Sequence, residues 1–365
     1  MSGWEILSLP GDGIGPEVTR EAERVLTWAA EAHGVDLTLE HGLVGGAAID
    51  REGVALSDKT LDQAKHMGTV LLGSVGGPKW DEQPFDNRPE SGLLKLRGEM
   101  ELFANLRPAI CFPVLADAST LKREVIAGLD LLIVRELIGG VYFGTPRGIE
   151  TLKDGTRRGV NTQVYTSHEI RRIAALAFEL ARARRGHVTS VEKANVMESG
   201  KLWREEVTAL HAHSGSEVQL AHMYADNCAM QLVRDPNQFD VIVTDNLFGD
   251  LLSDIAAMLT GSIGLLPSAS LGEASESGTR AALYEPVHGS APDIAGEDKA
   301  NPCAAILSVA MMLRFSFGAG DVADRIEMAV SQVLEKGIRT VDVADGASHV
   351  VGTRAMGDAI LAALA

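Results

Sequence analysis

The sequence predicts an α/β protein whose strands pair mostly in parallel, and three observations lead there. Short β-type runs alternate with helical patterns along the chain. No internal repeat or low-complexity tract breaks that alternation. With 365 residues, 45% of them hydrophobic and 23% charged, the chain can bury a sizeable core in two domains or one large body.

The elements follow in order. WEILSL (4–9) is an apolar opening run that breaks at LPGDGIGPE, and Pro16 suits the first turn of a helix. PEVTREAERVLTWAAEA then repeats its apolar positions at helical spacing. VDLTLEHG (35–42), GTVLLGSVGG (68–77), GLDLLIVREL (128–137), HVTSVEKAN (187–195), EVQLAHMYAD (217–226) and FDVIVTDN (239–246) read as further strands. Between and after them, SHEIRRIAALAFELARARR, GDLLSDIAAML and PCAAILSVAMMLRF read as helices. GEASESGTRA (272–281) reads as a surface loop, and KDGTRRGVNTQ (153–163) as a projecting excursion.

Charge and targeting signals exclude several classes. The 33 basic and 50 acidic residues leave a formal net charge of -17, which disfavours nucleic acid or an anionic membrane as partner. An anionic small substrate must then meet a local basic pocket. Cys111, Cys228 and Cys303 are far apart and in no metal-ligand spacing, so they read as buried thiols of a reducing compartment. The N-terminus lacks a basic region followed by an apolar signal core. The apolar stretch from Cys303 to Leu313 stops at Arg314, short of the ~20 residues that a membrane helix needs. A cytoplasmic protein with no membrane partner is expected.

Gly11, Gly13 and Gly15 imitate a dinucleotide-binding fingerprint, with Glu40 in the place of its ribose-binding acid. Pro16 stands where the third glycine should allow close helix–strand packing. The motif reads better as a tight strand-to-helix turn.

Asp250 and Asp254, four residues apart, project from one face of a predicted helix, and Asp226 follows a strand. Together they could form an oxygen-rich site for Mg2+ or Mn2+. Spacing alone equally allows a helix-end carboxylate, a cap and a solvated side chain. Arg97, Arg107 and Arg135 form a second constellation. Arg135 ends a run that otherwise looks buried, so it needs an anionic partner, either a substrate carboxylate or an internal acid. Lys193 at a strand end can act as a base if its pKa is depressed, and Tyr142 beside glycines can donate a proton. Either could be structural. His211 and His213 read as a surface pair rather than a zinc site.

In this order, LPGDGIGPE, ESGLLKLRGEMELFANLRP, VRELIGGVYFG, EKANVM, TDNLFGDLLSD and YEPVHGSAPDIAG resemble the β-decarboxylating dehydrogenase family of isopropylmalate and isocitrate dehydrogenases. The resemblance covers essentially the whole chain. FGDLLSD and EPVHGSAPDIAG are specific to the superfamily, and ESGLL points to the isopropylmalate branch.

The resemblance implies a two-domain fold with a large mixed, mostly parallel sheet that is not a Rossmann fold. Residues 1–102 and 261–365 would form a cofactor-binding domain. Residues 103–260 would form a dimerisation domain with an arm near 151–163, and the active-site cleft would lie between the two. The implied assembly is a homodimer with shared active sites. Asp250 and Asp254 would bind the metal with Asp226 of the other subunit, which also borders the substrate, and Lys193 would reach across as well. Arg97, Arg107 and Arg135 would hold the substrate carboxylates, Lys193 would take the hydroxyl proton and Tyr142 would protonate the enolate. The adenosine end of the cofactor would lie on His288, Gly289, Ser290, Ala291, Pro292, Asp293 and Ile294, with Asn301 and Ile14 nearby. A carboxylate at Asp293 suits the two ribose hydroxyls of NAD and would repel the 2′-phosphate of NADP.

The implied reaction is NAD-dependent oxidative decarboxylation of 3-isopropylmalate to 4-methyl-2-oxopentanoate and CO2 in leucine biosynthesis, with Mg2+ or Mn2+. Glu90, Leu93 and Leu94 would choose the substrate. Malate, tartrate, homoisocitrate and isocitrate are the alternatives on the same fold. A metal-dependent hydrolase and a non-catalytic binding protein are readings of other classes. Ile138, where many relatives carry threonine, and the long 272–281 loop depart from the family pattern.

Overall fold

The protein is seen in a computed structural model that describes residues 3–119, 121–276, 278–346 and 349–365. Its larger strands are β1 (Trp4–Gly11), β2 (Leu37–His41), β3 (Thr69–Ser74), β4 (Ala104–Ile110), β5 (Asp130–Glu136), β6 (Gly148–Thr151), β7 (Arg157–Val160), β8 (His187–Glu192), β9 (Gln219–Tyr224), β10 (Val241–Thr244), β11 (Pro267–Leu271) and β12 (Ala282–Pro286). The apolar runs of the sequence become β1, β2, β3, β5, β8, β9 and β10. β3 and β10 are buried from end to end, as parallel strands covered on both faces are.

The chain folds into two compact units. The first comprises Met1–Leu102, Cys111–Arg123 and Thr260–Ala365. Its strands run in the order β2-β1-β3-β12-β11, parallel except for β11 against β12. The helix Cys303–Phe315 is apolar all round, and every residue from Cys303 to Leu313 is buried. The helix Gly15–His33 packs on it, with Pro16 in its first turn and Gly34, in the left-handed conformation, at its C-terminal end.

The second unit comprises Phe103–Ile110 and Glu124–Leu259. Its order is β4-β5-β10-β8-β9, with β4 antiparallel to β5 and the other pairs parallel. Pairing over these ten strands is thus mixed and mostly parallel. A capping box of Thr166 and Glu169 starts the helix Ser167–Arg182. In the hairpin β6–β7 every residue of β6 is exposed, among them Ile149 at 70%.

Besides the hairpin β6–β7, three of the ten strands escape a reading by pattern. β4 holds Pro108, and β11 (PSASL) and β12 (ALYEP) are short and contain residues of low strand propensity. β11 and β12 are buried throughout, so tertiary burial overrides local preference. Within the loop 272–281, Ser277 lies outside the described residues. No helix among the described residues is long and apolar enough to cross a membrane.

Candidate active site

In the second unit, the helix Asn246–Leu259 presents Asp250 and Asp254 one turn apart. Arg135, at the buried end of β5, hydrogen-bonds through Nη1 to Asp250 Oδ1, while its own side chain is only 5% exposed. Arg107 from β4 donates from Nη1 to Ser253 Oγ at 2.7 Å and to Asp254 Oδ1 at 3.4 Å, and stands 3.8 Å from Asp250 Oδ1. Its Nε donates to Asn105 Oδ1 at 2.9 Å. Tyr142 donates its phenol hydrogen to Asp250 Oδ2 at 3.1 Å. Burial, and then the charge of Asp250, push the Tyr142 pKa up, so the phenol keeps its proton at neutral pH. The structure therefore gathers Arg107, Arg135, Tyr142, Asp250 and Asp254 around one helical turn.

A separate pair forms where β8 and β9 end. Lys193 Nζ donates to Asp226 Oδ1 at 2.6 Å and lies 5.8 Å from the Tyr224 ring centroid. That hydrogen bond holds the Asp226 pKa below the usual carboxylate range. Among the described residues, no three His, Cys, Asp or Glu side chains are grouped to hold a metal ion. The trio Asp226, Asp250 and Asp254 is therefore not assembled within one chain. What one chain offers is the carboxylates of Asp250 and Asp254, 33% and 69% exposed, on one helical face. Hard oxygen donors without thiolate or imidazole fit Mg2+ or Mn2+.

In the first unit, Arg97 pairs with Glu285 of β12 at 2.5 Å, an internal acid that the sequence reading did not single out. Along the same helix, Pro89–Glu99, Glu90 and Leu94 are exposed, whereas Leu93 packs partly against the core cluster around Leu96 and Leu102.

The glycine turn is a structural node. Asp12 is 4% exposed and its carboxylate accepts the N–H groups of Gly46 (2.7 Å), Ala47 (2.7 Å) and Gly76 (2.9 Å). Gly13 has φ +58°, and a Cβ there would stand 1.9 Å from Ser290 O. The next residue, Ile14, donates its N–H to that same oxygen at 2.8 Å while its side chain is buried. The turn thereby supports the segment His288–Ile294.

Within that segment His288 and Ser290 are buried, while Gly289, Pro292 and Asp293 are exposed and Ala291 takes a positive φ of 36°. His288 Nδ1 bonds Gly289 O at 2.9 Å. Asn301 accepts from Cys303 N at 3.0 Å and donates to Asp342 Oδ2 at 3.0 Å, which ties it to the start of the buried helix. His211 hydrogen-bonds the Val218 carbonyl at 2.7 Å. Cys111, Cys228 and Cys303 are free, buried thiols.

The sequence model of the isocitrate/isopropylmalate dehydrogenase family matches residues 5–360. The chain belongs to that family. It is therefore an oxidoreductase, and membership in this dehydrogenase family implies a dinucleotide oxidant, a divalent metal and a small dicarboxylate substrate. A 3-isopropylmalate dehydrogenase from Rhodospirillum rubrum is 62% identical to this family member over 362 residues, 99% of this chain and 98% of the relative. One from Gluconobacter oxydans is 59% identical over 358 residues, 98% and 97% of the two chains. Among solved structures, isocitrate dehydrogenase from Methylococcus capsulatus superposes with a TM-score of 0.86 at 36% identity, covering 100% of this chain and 99% of that one.

Asn246, Ser253, Asn105 and Glu285 are the polar partners that the sequence reading missed. Ser253 lies three residues after Asp250, on the same helical face, and that spacing was the available signal.

Proposed function

We propose that the chain catalyses NAD-dependent oxidative decarboxylation of 3-isopropylmalate to 4-methyl-2-oxopentanoate and CO2, a step of leucine biosynthesis, as a cytoplasmic homodimer. The observation that carries this reading is the convergence of Arg107 and Arg135 beside the Asp250 and Asp254 carboxylates. Two guanidinium groups can grip a carboxylate while two aspartates hold a divalent cation next to it.

Arg107 and Arg135 bind one end of the diacid, and Arg97 contributes a further cation. Lys193 of a second copy, directly or through a water, takes the proton of the substrate hydroxyl. A divalent ion held by Asp250 and Asp254 would supply Lewis-acid polarisation, and a nicotinamide cofactor would supply the two-electron oxidant. Tyr142, which keeps its phenol proton at neutral pH, delivers that proton to the carbon that has lost CO2. Asp250 and Asp254 would hold the metal, with Asp226 of a second copy as a further ligand. Exposed Val196 (72%), Met230 (60%), Leu251 (55%) and Met258 (55%) support a partner subunit on this unit.

Exposed Leu94, with Glu90 and Leu93, meets the isopropyl group. Each buried CH2 adds about 0.8 kcal/mol, so malate is disfavoured by only a few kcal/mol, whereas isocitrate would bury an unpaired carboxylate at a larger cost. Exposed Asp293 favours NAD over NADP.

The experiment is a panel of 3-isopropylmalate, malate, tartrate and isocitrate with NAD and NADP, with and without Mg2+, followed by reduced nicotinamide and CO2. Fastest turnover on 3-isopropylmalate with NAD supports the reading. Preference for another diacid, or no reduction with any, overturns it.

A further inference from the structure

Asn246 opens the helix that carries Asp250 and Asp254, and it is fully buried. Its Oδ1 accepts from Arg135 Nε at 3.1 Å and from Nη2 at 2.7 Å. Its Nδ2 donates to Leu137 O at 2.9 Å and Gly139 O at 3.1 Å. A carboxamide has two lone pairs on oxygen and two N–H groups, so the side chain is fully used. The opposite amide orientation would set N–H against guanidinium N–H and oxygen against two carbonyls, so these partners dictate the orientation. By taking Nε and Nη2, Oδ1 turns Nη1 of Arg135 toward Asp250.

The segment after β5 is held from its other polarity as well. Glu136 accepts from Ile138 N at 3.2 Å and Gly139 N at 2.8 Å. Tyr165 donates its hydroxyl to Glu136 Oε2 at 3.2 Å and accepts the backbone N–H of Asn246 at 2.9 Å. There is no slack: a Cβ on Gly140, whose φ is +72°, would come within 2.5 Å of the Tyr165 hydroxyl. Two residues on is Tyr142.

We propose that Asn246 is a positioning residue that sets Arg135 and the Tyr142 turn in register with each other, the Tyr165–Glu136 pair closing the ring. This rests on the reading of Arg135 as a carboxylate ligand and of Tyr142 as the proton donor. Buried Asn246 touches neither substrate nor cofactor and acts through these two.

The test compares full-length wild type, Asn246→Asp, Asn246→Ala, Tyr142→Phe and the double variant Asn246→Asp/Tyr142→Phe, each checked by thermal melting. Asn246→Asp keeps the acceptor for Arg135 but sets an oxygen against the carbonyls of Leu137 and Gly139. Its kcat should fall about tenfold or more with KM moving less than about threefold, and in the Tyr142→Phe background the fall should shrink below about threefold. Asn246→Ala releases Arg135 too, so KM should rise about tenfold or more. An equal kcat loss in both backgrounds, or unchanged kcat in Asn246→Asp, overturns the proposal.

If Asn246→Asp does not fold, Tyr165→Phe takes its place, with the same split expected and an unchanged kcat counting against. If Tyr142→Phe itself turns over normally, the proton-donor reading fails. Asn246 is then judged on whether Asn246→Ala raises KM as Arg135→Lys does, and an unmoved KM rejects it.

Discussion

Gly249 lies against the stem of Arg135 so closely that a Cβ on the glycine would stand 2.5 Å from Arg135 Cγ and 2.7 Å from its Cβ. The helix bearing Asp250 can approach β5 only because this position has no side chain. Gly249→Ala should displace Arg135, raise KM for the diacid about tenfold or more and cost about 1–3 kcal/mol of stability, a common penalty for overpacking. Steady-state kinetics and denaturant melts read both effects. A variant with wild-type KM would show that the guanidinium does not depend on this contact.

Glu136 gives stability a pH dependence of defined sign. Burial pushes its pKa from the ordinary 4.5 to about 7, against the backbone N–H groups of Gly139 and Ile138, the nearby Arg172 and the Tyr165 hydroxyl. Between those two values the unfolded carboxyl is ionised while the folded one keeps its proton. The folded state then binds more protons, and this group's contribution to stability falls as pH rises through the window. Glu136→Gln should remove that slope. It should also cost about 1–3 kcal/mol above the window, where both carboxylate oxygens accept and an amide N–H2 would oppose a donor. Denaturant unfolding of both proteins at pH 5 and pH 8 measures it, and equal slopes would count against this role.

The three thiols should be silent in the native protein. Burial raises the pKa of Cys111, takes Cys228 to about 12 and raises Cys303 further. A thiol reagent at neutral pH should modify them at a rate set by unfolding, and denaturant should release all three at once. Rapid native labelling would contradict the burial.

Exposed Asp293 offers a direct check on cofactor choice. Asp293→Lys should weaken NAD binding and shift the NADP-to-NAD ratio of kcat/KM about tenfold or more toward NADP, since a cation meets the 2′-phosphate. An unmoved ratio would place the ribose elsewhere.

Parallel strands were readable because strands covered on both faces are runs of apolar residues, as in VLLG and LLIV. β4, β11 and β12 were not, since proline and serine there are tolerated by burial that only the assembled fold supplies. Arg135 announced itself as a charge in an apolar run. Its neighbour Glu136, wholly buried, drew no notice, because an acid at a strand end looks like any edge residue until its donors arrive from residues 138 and 139. Asn246 was illegible for the same reason: four bonds on one amide join segments far apart in sequence, and no local spacing encodes them. Arg97 drew attention, but its acid Glu285 lies far along the chain.

β3 has β1 on one side and β12 on the other. During synthesis the first strands leave the ribosome long before β12 exists, while everything the second unit needs has already emerged. A nascent chain must therefore carry β3 with one bare flank, apolar and ready to pair with a stranger, until the last third arrives. Chaperone demand and inclusion-body formation in this protein should peak in that interval, and chains stalled before residue 282 should be the ones that aggregate.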